Sequence, residues 1–416
     1  MIRLLVSLLI PLGILSGLSF FVIGIVRDTG APDEIHLFLQ FFYGAGVVLV
    51  LGALLLTLRY SGIRPIQRPK LVNGIIGLGT VSAFVIVLSG ILIGLVRLIL
   101  TTVSWGGIST GDLELTSIYG LLILIGLLFI SLVHGFFYGK YRYKVEEVDF
   151  SFSNLPEAFD GFRLVQISDI HSGTWDNLSK VDRGVQMIQD QEADMIVFTG
   201  DLVNSDKEEI NPFMPLFAKL NAPHGKYAIL GNHDYYGQPR DADLRPAYYE
   251  DFFKKYETMG WDLLRNEHRI IRKNGSKLIL AGVENWGEGR YFPKRGDLDV
   301  TLDGVGASDF CIMLSHDPSH WSHHILNFKK QIDLTLSGHT HGMQFGINLS
   351  WLRWSPIKWR YKNWIGRYEE NQRQLYVNRG FGVLGFSGRV GMWPEITVIT
   401  LRKDMSSALF AINDII

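Results

Sequence analysis

The stretch FRLVQISDIH, residues 162–171, joins an apolar run to a polar ending that is able to bind a metal ion. Residues 162–167 are rich in aromatic and aliphatic side chains and predict a β-strand. Asp169 and His171 follow that run within four residues. Because α/β folds build their sites beyond the carboxyl ends of strands, both side chains are candidates for a functional site.

Four further motifs of this kind occur along the chain. Each comes directly after a short apolar run, and together they are Thr199-Gly200-Asp201, Gly231-Asn232-His233-Asp234, Ser315-His316-Asp317 and Ser337-Gly338-His339-Thr340-His341. Carboxylate, imidazole and amide oxygen are ligands suited to divalent Mn, Fe or Zn rather than to a thiolate site. A lone motif would mean little, but five in order, each after a strand, predict a metal centre.

The pattern from residue 145 onward predicts an α/β domain. Besides the first strand, apolar runs predict strands at 195–198, 227–230, 269–272, 277–283, 310–314, 332–336, 374–377 and 395–401, and periodicity predicts helices at 178–190 and 245–259. We expect a sandwich with sheets inside and helices outside.

The five motifs resemble the calcineurin-like metallophosphoesterase superfamily, whose pattern is D-x-H, G-D, G-N-H-[DE], H and G-H-x-H. The resemblance covers about residues 160–402 and leaves no ligand position substituted. It implies an α/β/β/α sandwich that binds two divalent metal ions (Mn, Fe or Zn). The ligands it implies are Asp169, His171 and His341 for one ion, Asn232, His316 and His339 for the other, and Asp201 as the bridge.

A bridging carboxylate suits such a pair, because it offsets part of the repulsion between two cations. Two ions held together can clamp a phosphate ester and lower the pKa of a water molecule. The resemblance implies that His233 is catalytic, contacting the phosphate and protonating or stabilising the leaving group. Asp234 is a candidate for orienting His233, and Asp317 either supports the ligands or caps a helix. His320, His323 and His324 match no family position, so we expect them at the surface or beside the ligands.

The first part of the chain predicts a multi-pass membrane protein. Four apolar stretches cover residues 4–26, 36–58, 73–100 and 117–139, and each approaches or exceeds the ~20 residues that cross a bilayer core. We therefore expect a four-helix transmembrane region over residues 1–144 and a phosphoesterase domain over residues 145–416. Arg97 and His134 fall near the ends of stretches, which favours an interfacial position over an ion path and makes a transporter a poor interpretation.

The basic residues predict the orientation. Four of them lie between the second and third stretches, three follow the fourth, and residues 101–116 contain no Lys or Arg. The excess of positive charge in cytoplasmic loops places the catalytic domain in the cytoplasm. One missed or false helix would reverse this prediction.

The composition limits the classes of binding partner that we expect. A net charge of −1 and a pI near 6.9 give no global basic field, so nucleic acid is not an expected partner, although related scaffolds include nucleases. The single cysteine, Cys311, excludes an intramolecular disulfide and lies in an apolar run where a buried position is expected.

The substrate is less clearly encoded. The segment WLRWSPIKWRYKNW, residues 351–364, concentrates Trp, Tyr, Lys and Arg after the last motif. Such clustering favours the membrane interface, and the alternative is that its tryptophans belong to the core. With the membrane region it suggests a lipid or lipid-linked phosphodiester or pyrophosphate, in a layout similar to membrane-associated members of the superfamily. The alternative function is a catalytically silent receptor or regulator, whose usual mark is a lost ligand. The oligomeric state stays open.

Overall fold

The structure, a computed structural model, describes the backbone of residues 2–404 and the side chains of residues 10–404. The chain divides into two compact units, Met1–Phe137 and Tyr138–Ile416. Lys140 and Tyr141 are buried in the second unit, where both donate hydrogen bonds to the carboxylate of Asp176. A fragment cut at residue 145 would lose these contacts. The predicted boundary between residues 144 and 145 stays a prediction.

The first unit consists of four long helices. They are α1 (Ile2–Asp28), α2 (Asp33–Arg59), α3 (Lys70–Trp105) and α4 (Gly111–Phe137). All four are long and apolar enough to cross a membrane, so the four predicted stretches are confirmed as candidate transmembrane helices. Arg97 of α3 forms ion pairs with Glu114, in the first turn of α4, and with Asp28, the last residue of α1.

Small residues let these helices approach closely. A Cβ atom on Gly79 of α3 would lie 2.4 Å from the Cβ of Ala53 and 2.7 Å from the carbonyl oxygen of Leu49, both in α2. Gly46 of α2 faces the side chain of Ile86 in the same way, at 3.2 Å. Small residues at helix contacts are typical of membrane bundles, in which packing rather than hydrophobic burial drives association.

The second unit is built from fourteen described strands and five short helices. The strands are β1 (Lys144–Phe152), β2 (Arg163–Ile167), β3 (Met195–Phe198), β4 (Lys226–Ala228), β5 (Asp262–Leu263), β6 (Glu267–Lys273), β7 (Ser276–Gly282), β8 (Cys311–Leu314), β9 (Leu334–Ser337), β10 (Ile347–Asn348), β11 (Arg353–Trp354), β12 (Gly366–Glu370), β13 (Arg373–Val377) and β14 (Glu395–Lys403). The helices are α5 (Leu178–Gln189), α6 (Met214–Phe217), α7 (Arg245–Thr258), α8 (Leu298–Thr301) and α9 (Ser319–His323).

Two six-stranded sheets form the sandwich. Their strand orders are β1-β14-β2-β3-β4-β5 and β12-β13-β9-β8-β7-β6, and β10 and β11 form a separate hairpin. One buried cluster joins Leu164 and Val197 of the first sheet to Leu280, Ile312 and Leu334 of the second. In the second sheet the inner strands are apolar on both faces because a further buried cluster covers the outer side. The α/β sandwich is therefore confirmed, and Cys311 is buried within it.

The sheets also explain where the polar motifs go. β2, β3 and β4 run parallel in the first sheet, and β7, β8 and β9 run parallel in the second. Each predicted ligand motif follows the carboxyl end of one of these strands. The motifs of the two sheets consequently meet at one edge of the sandwich.

Candidate metal centre

The predicted ligands lie in two groups. Asp169, His171 and His341 form one group, and Asp201, His316 and His339 form the other; within each group the ligand atoms are all within 4.8 Å of one another. Five of the six side chains are buried, and His339 is partly exposed. The first group is the one that the resemblance implies; for the second ion the resemblance implies Asn232 with His316 and His339, and Asp201 as the bridge. Metal binding by these residues stays a prediction.

The first group brings two imidazoles and a carboxylate together. Nε2 of His341 lies 3.2 Å from Oδ1 of Asp169 and 3.0 Å from Nε2 of His171. In the second group, Nε2 of His316 lies 3.3 Å from Nδ1 of His339. Such short separations between ligand nitrogens are what a shared cation would bring about, since neutral imidazole is a common metal ligand.

Asp201 lies between the two groups. Its Oδ2 atom is 3.5 Å from Nε2 of His171 and 3.3 Å from Nε2 of His316. Its Oδ1 atom accepts a hydrogen bond from the backbone N–H of His233 at 2.8 Å. One oxygen that faces both groups has the placement required of a bridging ligand.

Asn232 tests whether the site fits a metal ion. In the part of the chain that the structure describes, its Oδ1 atom is buried without a hydrogen-bond partner, while Nδ2 donates to the hydroxyl of Tyr236 at 2.9 Å. Leaving a buried carbonyl oxygen unpaired costs free energy, so such an atom requires a physical reason. An amide oxygen is a suitable ligand for a divalent ion, and the residues present therefore fit the implied group.

Hydrogen bonds from outside the groups orient two of the imidazoles. Nδ1 of His316 lies 2.7 Å from the carbonyl oxygen of Thr199, to which it donates, so Nε2 is left for a metal. In His339 the roles are reversed: Nε2 lies 2.8 Å from the hydroxyl of Tyr361 and 3.4 Å from Oδ2 of Asp317, which leaves Nδ1. Partners of this kind fix the tautomer and the ring orientation of a metal-binding histidine.

Asp317 lies beside the predicted ligand His339, whereas the N-cap position of α9 is Pro318 rather than Asp317. Besides contacting His339, it accepts the backbone N–H of Ser319 at 2.8 Å at the start of α9. Of the three other histidines, His320 is buried and its Nδ1 lies 2.9 Å from the hydroxyl oxygen of Ser315, next to the ligand His316. His323 is half-exposed.

His233 is held at the edge of the site. Its Nδ1 lies 2.7 Å from the carbonyl oxygen of Asn204, to which it donates, and its ring packs edge-on against His171 with centroids 4.9 Å apart. Asp234 does not orient this side chain, contrary to expectation. The Asp234 carboxylate instead accepts four backbone N–H groups, from Gly231, Asp201, Leu202 and Val203. It therefore fixes the loop that carries Asp201.

Arg389 is a buried residue that the sequence reasoning missed. Its guanidinium donates to the carbonyl oxygens of Arg379, Gly382 and Met392 and lies 3.2 Å from Nδ1 of His341. Burial and the neighbouring Arg379 lower the pKa of Arg389 to about 9. Arg389 thus ties the glycine-rich loop at 379–392 to the predicted ligand His341. The many glycines of that loop were the one sequence feature that could have indicated that its carbonyl groups turn toward a buried side chain.

The charges of the site are strongly coupled. Burial disfavours the charged form of His316, but the carboxylates of Asp201 and Asp169 outweigh it and raise the pKa of His316 to about 10. Burial dominates at His171 and lowers its pKa to about 3. Burial and the adjacent Asp201 raise the pKa of Asp234 to about 7. A ligand nitrogen must be deprotonated, so a metal ion would displace the proton of His316.

Five of the predicted ligands have left-handed backbone. The φ angles are 51° at Asp169, 45° at His171, 63° at Asp201, 72° at His339 and 53° at His341. Each such residue costs on the order of 1–2 kcal/mol, and such strain concentrates at functional sites. The turns aim successive side chains at one point beyond the strand ends.

Two glycines allow these turns to approach one another. A Cβ atom on Gly338 would lie 1.9 Å from Oγ of Ser168 and 2.3 Å from Oδ2 of Asp169. A Cβ atom on Gly231 would lie 2.2 Å from Oδ1 of Asp201. The glycines of the motifs therefore have a steric function, because any other residue would displace a carboxylate of the site.

Comparison with known proteins agrees with this geometry. The family model described as calcineurin-like phosphoesterase matches residues 162–343. The uncharacterized metallophosphoesterase YkuE of Bacillus subtilis (strain 168) is 31% identical over 286 residues, which cover 66% of this chain and 92% of that protein. The chain belongs to the calcineurin-like phosphoesterase family. The resemblance seen in its motifs is confirmed.

The name of a second relative combines a transmembrane protein with a metallophosphoesterase domain. A transmembrane protein with metallophosphoesterase domain from Danio rerio is 31% identical over 268 residues, 62% of this chain and 57% of that protein. This chain therefore matches little more than half of that relative's length. Among solved structures, a phosphopantetheinyl hydrolase from Mycobacterium tuberculosis matches 55% of this chain and 90% of that one, with 12% identity and a TM-score of 0.35.

Proposed function

We propose that this protein is a dinuclear metal-dependent phosphoesterase that hydrolyses a phosphodiester or a pyrophosphate. The observation that carries the proposal is Asp201, one oxygen of which faces both ligand groups at 3.3 and 3.5 Å. Asp169, His171 and His341 would hold one divalent ion (Mn, Fe or Zn). Asn232, His316 and His339 would hold the second. Two bound divalent ions supply activation of water and neutralisation of phosphate charge.

The chain's own groups would complete the reaction around a bound phosphate. His233 would protonate the leaving oxygen from Nε2, because its Nδ1–H is already donated to the carbonyl of Asn204. That hydrogen bond also fixes the orientation of the ring. Asp234 would keep Asp201 in place through the N–H groups of its loop.

The proposed substrate is lipid-linked and the proposed site of action is the cytoplasmic face of a membrane. Four candidate membrane-spanning helices in the same chain support membrane association. The basic residues of the second loop and of residues 140–144 support the cytoplasmic side. The aromatic and basic segment after the last ligand motif supports a substrate that carries lipid.

The full-length chain in detergent micelles provides the test. Hydrolysis of bis-p-nitrophenyl phosphate would be measured with Mn²⁺, Fe²⁺ or Zn²⁺ and with a chelator, alongside the metal content of the protein. We expect metal-dependent hydrolysis that Asp201→Asn and His233→Ala each reduce by at least ~100-fold. His323→Ala, a half-exposed histidine outside both groups, is the matched control.

The two variants separate binding from chemistry. Asp201→Asn should lower the metal content, whereas His233→Ala should leave it unchanged, because His233 belongs to neither ligand group. Tight binding of both ions by the wild-type chain, with no hydrolysis of phosphomonoesters, phosphodiesters or pyrophosphates, would refute the proposed enzymatic activity. That result would favour the silent receptor or regulator.

A further inference from the structure

The tryptophans of residues 351–364 divide between the surface and the core. Trp364 is 8% exposed and packs with Tyr361, Ile365 and Met392, whereas Trp351 and Trp359 are 78% and 75% exposed. Neither of the two sequence interpretations, membrane interface or core, therefore holds for the whole segment. Packing in the core therefore does not account for Trp351 and Trp359, which lie at the surface.

We define the hairpin segment as residues 347–359, which comprise β10, the turn between the strands, β11 and the residues that follow. The backbone N–H of Leu349 donates to the carbonyl of Leu352 and closes the turn, so Trp351 lies at its tip. Trp354 packs edge-on against Trp359, with ring centroids 6.0 Å apart. Apolar side chains are exposed along the whole segment: Ile347, Leu349, Trp351, Leu352 and Trp359.

The charges beside these side chains are basic. Among the residues that the structure describes, Arg353 and Lys358 of the hairpin segment make no ion pair with a carboxylate. Arg360, just beyond it, pairs with Glu288 at 3.0 Å and Lys362 pairs with Glu370 at 3.6 Å. The segment itself contains no Asp or Glu. Exposed tryptophans with unopposed basic side chains match the headgroup level of an anionic bilayer.

The hairpin segment is attached directly to the loop that carries two predicted ligands. The hydroxyl of Ser355 donates to the carbonyl of Gly342 at 2.8 Å, one residue after His341. A little further along the chain, the hydroxyl of Tyr361 contacts His339. A partner that binds to the hairpin segment would therefore lie beside the metal centre.

We propose that the hairpin segment is a docking surface for an anionic lipid bilayer. Trp351 and Trp359 insert at headgroup depth while Arg353 and Lys358 contact lipid phosphates. The proposal deepens the proposed function. Docking itself does not depend on that function; only its consequence, that lipid-borne phosphate esters reach the metal centre, rests on it. A soluble protein or a second copy of the chain is the competing occupant.

The test places a reporter on the full-length chain. Its only cysteine, Cys311, is buried, so the unmodified chain measures background labelling. Trp351→Cys and Trp359→Cys would carry a polarity-sensitive dye, in nanodiscs of phosphatidylcholine with or without phosphatidylglycerol and with a lipid-borne quencher. Ile270→Cys, on the exposed face of the edge strand β6, is the matched control position. Metal content and melting temperature would confirm that each labelled chain is folded.

We expect blue-shifted emission and lipid quenching at positions 351 and 359, both at least ~2-fold stronger when phosphatidylglycerol is present, and neither at position 270. Arg353→Gln with Lys358→Gln should remove the dependence on phosphatidylglycerol. Unshifted emission at both positions would overturn the proposal. A blue shift without lipid quenching would also overturn it, in favour of a protein partner. Because no hydrolysis is measured, these outcomes are independent of whether the proposed activity exists.

Discussion

Removing the hydroxyl of Tyr361 offers a sharp test of how the second ion is held. The hydroxyl lies 2.8 Å from Nε2 of His339 and keeps the proton on that nitrogen, so that Nδ1 is free to bind metal. Burial and the neighbouring Asp317 raise the pKa of Tyr361 well above its usual value, so the hydroxyl stays protonated. Tyr361→Phe deletes one oxygen and keeps the buried ring.

The expected loss follows from that contact. A hydrogen bond typically contributes about 0.5–1.5 kcal/mol, and more when one partner is charged, and each 1.4 kcal/mol corresponds to about a tenfold change in a binding constant. Loss of such an outer partner typically lowers metal affinity about 10–100-fold. We therefore expect Tyr361→Phe to weaken one metal-binding step by about this factor and to leave the other step unchanged, since the hydroxyl does not contact the first group.

The measurement is a metal titration of the full-length chain by calorimetry. Tyr368→Phe is the matched control, because that hydroxyl accepts the backbone N–H of Trp364 at 3.0 Å in the same cluster without touching a predicted ligand. Wild-type affinity for both ions in Tyr361→Phe, or equal losses in the two variants, would refute the reasoning. Recovery of hydrolysis at a higher metal concentration would separate weakened binding from impaired chemistry.

Three further changes test other parts of the chain. Asp234→Asn puts an amide N–H₂ among four backbone donors and should lower the melting temperature by about 5–10 °C, measured by differential scanning fluorimetry; an unchanged value would contradict the proposed support of the Asp201 loop. Gly79→Leu should destabilise the helical unit by about 1–3 kcal/mol because of its contact with α2, whereas Gly126→Leu, with open space around its Cβ position, should melt like the wild type. Removal of metal by a chelator should abolish hydrolysis and lower the melting temperature, and Mn²⁺ at about 100 times its Kd should restore about 2.7 kcal/mol; a chelator-resistant activity would exclude the proposed centre.

The side chains that come together in the two groups could be predicted because each motif is local. An apolar strand followed by Asp, Asn or His places that side chain at a strand end, whatever the rest of the chain does. The strands from Arg163 to Ile167 and from Met195 to Phe198 lie where their apolar runs predicted them. The four membrane stretches could also be predicted, because length and apolarity are properties of the local sequence and need no tertiary contact.

Elements that depend on a distant partner were missed. β1 reads KVEEVDFSF, with four charges in its first six residues, and becomes a strand by pairing in parallel with β14 about 250 residues later. Tyr361 and Arg389 reach their histidines from loops 22 and 48 residues further along the chain. Nothing in the local sequence distinguishes Tyr361 from its neighbours, because its importance comes from the position of the loop rather than from its own residue type.

The left-handed backbone at five ligands indicates how the site is maintained. Each of these turns costs free energy, and the carboxylates of Asp169 and Asp201 repel each other, so the arrangement needs support from the protein itself. That support is present. Asp234 accepts four backbone N–H groups, and Asp169 accepts the backbone N–H of His339 at 2.9 Å. Arg389 donates to the carbonyl oxygens of Arg379, Gly382 and Met392. Small metallo-domains that lack such a network unfold without their ion. In this chain the two-sheet core and the network contribute stability in addition to any bound ion, so we expect chelation to lower the melting temperature of a protein that nevertheless stays folded.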